Sequence, residues 1–114
     1  MGSFNMSNNR AAEIFEVTVE GTFSNEDAGR FIEAYNKQVA TFNAKEYTID
    51  LDCTRLNVSS ADVLPMLENC YKLYQASGFK RVIFKIAKNP VLKMQLSRIA
   101  RTTGLTNYDI VEVA

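Results

Sequence analysis

The stretch LNVSSADVL, residues 56–64, places two adjacent serines, Ser59 and Ser60, and an aspartate, Asp62, where an apolar run gives way to an amphipathic one. Hydroxyls at the start of a helix do one of two things. A serine oxygen can accept a hydrogen bond from an orphan backbone N–H of the first turn, a cap worth about 1 kcal/mol. Ser59 with Asp62 three positions on approximates a capping box, and Ser60 is placed to cap equally well. The same geometry tolerates a phosphate, because unsatisfied N–H groups and the positive dipole end face outward there. A phosphate on such a serine adds close to two negative charges at a surface where a partner can dock.

Other chemistry is thin. Asp50 and Asp52 straddle Leu51 on a strand and point to one face, but no third carboxylate falls near them to complete a cation site. The simpler reading gives Asp50 a backbone amide or a basic side chain and leaves Asp52 to solvate the strand end. Cys53 and Cys70 are too few for a disulfide framework and read as isolated buried thiols. The chain has no histidine, which removes Ser-His-Asp triads, Cys-His dyads and histidine-bearing zinc sites together. Its five glycines are scattered singly, so no phosphate loop is present. No nucleophile has an evident base. The expectation is a protein that is not an enzyme and holds no metal or cofactor.

The elements that must position these groups alternate in type. EIFEVTVE, residues 13–20, alternates apolar and polar residues as a strand with one wet face does. SFNMSNN before it reads as a short partner strand joined through Asn9-Arg10. Residues 24–46 carry Ala28, Phe31, Ile32, Tyr35, Val39 and Phe42 at spacings of three and four, with Ser24 as N-cap and Glu26 and Asp27 at the positive dipole end. YTIDLDC, residues 47–53, is a second strand. The next helix has Val63, Leu64, Leu67, Cys70, Tyr71 and Tyr74 on its inner stripe, and Pro65 argues for a start as late as Ser60 or Asp62. Strand 80–86 follows. Then comes a helix capped by Asn89, opened by Pro90, stopped by Gly104, and buried through Val91, Leu92, Leu96 and Ile99. Strand 108–113 closes the chain. This order predicts an α/β sandwich of four to five mostly parallel strands with three main helices.

At 114 residues, 46% of them hydrophobic and 23% charged, the chain suits one globular domain. Residues 13–114 form that domain, and residues 1–12 are an N-terminal segment, either a short edge strand or in part a tag remnant. Lys+Arg equals Asp+Glu at 13 each, so no broad positive field recruits nucleic acid or a membrane surface. No stretch has signal-peptide character or bilayer length, which predicts a cytoplasmic protein without membrane insertion.

The run YTIDLDCTRLNVSSADVLPML resembles the central motif of STAS domains, the anti-sigma factor antagonist family, in which a strand ends in Asp-Leu and Asp-Ser-Ser-Gly opens a helix. Asp50 and Leu51 match the strand end, and Ser59 and Ser60 match the serines. KNPVLKMQLSRIARTTGL is similar to the family's Asn-Pro turn, third helix and closing Gly-Leu. The likeness covers residues 13–113. It implies a small α/β sandwich, a protein partner such as an anti-sigma factor or related kinase, and phosphorylation at Ser59. Val58 stands where the motif has Asp and Ala61 where it has Gly, while Ser24 replaces an aspartate often found after the first strand.

The reading that follows is a non-catalytic regulatory domain of bacterial, cytoplasmic type. It docks its partner through Val58, Ser60, Ala61 and Asp62 around Ser59, with Ser24 and Asn25 at the rim. Two other classes remain beside it. One is a small-ligand or lipid-binding sandwich, favoured by any surplus of aromatic residues over core needs. The other is an unphosphorylated scaffold of a larger complex, for which a homo-oligomer would be natural.

Overall fold

The computed structural model describes residues 2–113; Met1 and Ala114, the outer ends of the two expected segments, lie outside the described residues. The elements in chain order are β1 (Ser3–Asn9), β2 (Ile14–Gly21), α1 (Asn25–Val39), β3 (Thr48–Leu56), α2 (Leu64–Ser77), β4 (Arg81–Ile86), α3 (Pro90–Thr103) and β5 (Tyr108–Glu112). One five-stranded sheet has the order β1-β2-β3-β4-β5, with β1 antiparallel to β2 and the remaining neighbours parallel. The α/β architecture is therefore the one the sequence predicts.

Strand order running in one direction, with right-handed crossovers, sends all three helices to the same face. The strands show it. Phe15, Val17, Val19, Ile49, Leu51, Cys53, Val82, Phe84 and Ile86 are buried under the helices. Their alternates Glu16, Thr18, Asp50, Asp52 and Lys85 stay wet or half-wet. All seven phenylalanines and five tyrosines of the chain join one connected set of ring contacts running from Phe4 on Phe31 to Phe84 on Tyr108. Core packing consumes the aromatic residues, so no surplus is left to argue for a ligand. Two hydroxyls tie the helices together. Tyr35 bonds Ser77 Oγ at 2.7 Å, and Tyr71 donates to the Leu96 carbonyl at 3.3 Å.

Several boundaries differ from expectation for local reasons. The hairpin turns through Arg10–Glu13, where Glu13 takes a positive φ of 55°, and not through Asn9-Arg10 alone. The first helix stops at Val39. Asn43 accepts from the Lys45 N–H and starts a separate 3-10 turn at Ala44–Glu46, and Phe42 packs on Phe15 and Tyr47. α2 begins at Leu64, with a 3-10 turn at Ala61–Val63 before it. Pro65 then falls in the first turn, where its missing N–H is no loss. Val91, expected in the core, is 60% exposed; Leu92, Leu96 and Ile99 are buried as expected and Ala100 joins them. Asn89 and Gly104 cap α3 as expected, and Gly104 at φ +76° sits where an L side chain is strained.

Candidate functional site

Parallel strands bring helix entrances together at their carboxyl ends, which is where open α/β sheets bind. Here that edge gathers the starts of α1, α2 and α3. Ser24 Oγ accepts from the Asp27 N–H at 3.1 Å, while Asp27 Oδ2 accepts from the Ser24 N–H at 3.0 Å, a complete capping box. Asp27 is 3% exposed and also accepts from the Gly2 N–H and from Arg30. The backbone N–H groups of Ser24 and Gly2 hold its carboxyl below the usual carboxylate range, aided by the Ser24 hydroxyl and Arg30. Asn89 Oδ1 caps α3 by accepting from Leu92 N–H at 3.1 Å.

The second entrance is built differently. Neither Ser60, which precedes the 3-10 turn, nor Val63, which precedes α2, makes a side-chain cap bond. The expected Ser59–Asp62 capping box does not form. Ser60 Oγ instead donates to Asp62 Oδ1 at 2.6 Å. Ser59 turns inward, 7% exposed, and its backbone is held from α3: its N–H donates to Gln95 Oε1 at 2.9 Å and its carbonyl accepts from Gln95 Nε2 at 2.8 Å. This paired amide contact pins the loop by main chain, so the 3-10 turn needs no serine cap to be held.

The rim residues do converge. Asn25, the first residue of α1, donates from Nδ2 to the Asp62 carbonyl at 3.3 Å, and Asn57 ties the same loop back through Thr22 Oγ1 at 2.9 Å and the Gly21 carbonyl. Ser24, Asn25, Val58, Ser60, Ala61 and Asp62 are exposed. Beside them, Val58 is 37% exposed, Val91 60% and Met94 67%. Val91 lies one turn before Gln95, and Val58 directly precedes Ser59. An apolar strip therefore flanks the uncapped entrance on both sides of the Gln95 contact.

Beneath Ser59 and Gln95 lies a half-enclosed apolar cavity of about 60 Å³, lined among others by Val19, Phe31, Leu51, Cys53 and Cys70. Both thiols are free and buried; desolvation pushes each up to about 12. On the opposite, helix-free face, Lys85 Nζ meets Asp50 Oδ2 at 2.9 Å. The Asp50 hydrogen bond and the nearby carboxylates raise the Lys85 ammonium. Asp52 accepts from the Thr54 hydroxyl and N–H, which lower its carboxyl. No group of three or more Asp, Glu, Cys or His is arranged to hold a metal among the described residues. No helix among them is long and apolar enough to cross a membrane.

Sequence reading missed Gln95, which carried no motif and lies 36 positions from Ser59. It also took Asp27 only as a charge at a dipole. The Ser-x-x-Asp spacing of residues 24–27 was the available signal for the box. No protein-family model matches the chain, and no curated protein matches it.

Proposed function

We propose that the chain is a non-catalytic, cytoplasmic regulatory domain that docks a protein partner at the entrance to its second helix, in the manner of the anti-sigma factor antagonists it resembles. One observation carries this reading. Of the three helix entrances at the sheet's carboxyl edge, only that of α2 lacks a side-chain cap, and it is exposed at Ser60, Ala61 and Asp62 beside the apolar strip of Val58, Val91 and Met94. An apolar centre with polar groups at its rim is what a protein interface presents. In this reading Ser59 is the phosphorylation candidate, and a kinase reaches its hydroxyl only after the Gln95 contact opens.

The small-ligand alternative draws on the cavity beneath Ser59. Its volume of about 60 Å³ falls well short of the roughly 300–1,000 Å³ of small-molecule sites. A purified kinase-type anti-sigma factor is the probe. Wild type should bind it, and Ala61→Arg, a bulky change at an exposed position, should weaken binding at least tenfold. Equal binding by both proteins would remove the docking surface, and no binding by wild type would remove the partner class.

A further inference from the structure

The two edges of the sheet are defended unequally. β5 is five residues long and carries Asp109, paired with Arg81, and Glu112, paired with Lys93. Charges on an edge discourage a second strand from pairing there. β1 has none of these defences. Its seven residues, SFNMSNN, include no charge and no proline, and its register with β2 runs unbroken from Ser3↔Glu20 to Asn9↔Ile14; the only irregularity of β2 is on its other side, toward β3. Phe4 and Met6 pack against the core, Phe4 edge-on against Phe31 at 5.4 Å. Ser3, Asn5 and Ser7 face solvent.

We infer that β1 is a homodimerisation edge, pairing antiparallel with β1 of a second copy to make a continuous ten-stranded sheet. The occupant is a second copy because the strand complements itself. A two-fold axis at Met6 overlaps all seven residues and keeps every side chain on its own face. Met6 then lies opposite Met6 of the second copy, Phe4 opposite Asn8, Asn5 opposite Ser7 and Ser3 opposite Asn9. No pair opposes like charges, and opposed amides and hydroxyls can hydrogen-bond across the strands. The formal net charge of zero adds no long-range repulsion between copies. The inference stands apart from the docking reading, since β1 contributes nothing to the α2 entrance.

The test is sedimentation equilibrium of the full chain with charge variants at two exposed positions. Wild type should dimerise. Asn5→Lys with Ser7→Lys sets lysine against lysine at both dyad-related pairs and should weaken the dimer by about tenfold or more. Asn5→Glu with Ser7→Lys sets opposite charges there and should restore it. A monomeric wild type overturns the inference. So does a dimer indifferent to these substitutions, or one that the opposite-charge variant fails to recover. Should a variant not fold, amide exchange of wild type decides. β1 amides that gain protection as concentration rises support the edge pairing, and protection independent of concentration refutes it.

Discussion

Replacing Gln95 by alanine removes both hydrogen bonds that hold the Ser59 main chain, at 2.9 and 2.8 Å, and leaves a half-buried N–H and carbonyl without partners. A net hydrogen bond contributes about 0.5–1.5 kcal/mol, so the pair should be worth about 1–3 kcal/mol. For a domain of this size that is a fall in Tm of about 3–6 °C per kcal/mol. Urea unfolding reads the loss as a lower midpoint at unchanged slope, and amide exchange reads it locally as faster exchange at Ser59. Gln95→Glu sharpens the test. A carboxylate still accepts from the Ser59 N–H but faces the Ser59 carbonyl with no proton to donate. Protonation restores the donor, so the folded state raises this carboxyl's pKa and binds its proton more tightly than the unfolded chain does. Stability of the glutamate variant relative to wild type should therefore rise as pH falls from 7 through that raised value. An unchanged midpoint and unchanged Ser59 exchange in the alanine variant would refute the argument, and a relative stability of the glutamate variant flat in pH would refute its electrostatic half.

Other outcomes follow from the same geometry. Both thiols, pushed up to about 12 by burial, should resist a thiol-specific disulfide reagent at pH 8 in the native protein and react at once in denaturant, as absorbance of the released thiolate would report. Ser24→Ala should cost about 1 kcal/mol by loss of the α1 cap, measured by urea titration. Asp27 is lowered by its backbone partners, so its contribution is complete above the ordinary carboxylate range and disappears as pH falls through the lowered value; Asp27→Asn should flatten stability against pH in acid. Gly104→Ala, forced to φ +76°, should cost about 1–2 kcal/mol, visible as a lower Tm.

Alternation along EIFEVTVE and YTIDLDC already told of a sheet with one wet face, because a period of two in parallel strands leaves half the side chains without a helix to cover them. The caps at Ser24 and Asn89 and the stop at Gly104 were equally legible, since each acts within a few residues. What the chain hid was long-range. Gln95 meets Ser59 across 36 positions, and nothing in NPVLKMQLS sets its amide apart from a solvated one. That contact holds a serine read as a cap, Ser59, in a buried position by its main chain. Val91 differs for a local reason: adjacent helix positions point about 100° apart, so with Leu92, Leu96 and Ile99 on the buried face Val91 turns outward.

Amide exchange of the full chain with and without a purified kinase-type anti-sigma factor tests the docking surface most directly. Slowed exchange confined to residues 57–64 and to the first turns of α3, 90–95, is the predicted footprint. Protection on the helix-free face around Glu16, Asp50 and Lys85, with none at the α2 entrance, would contradict it.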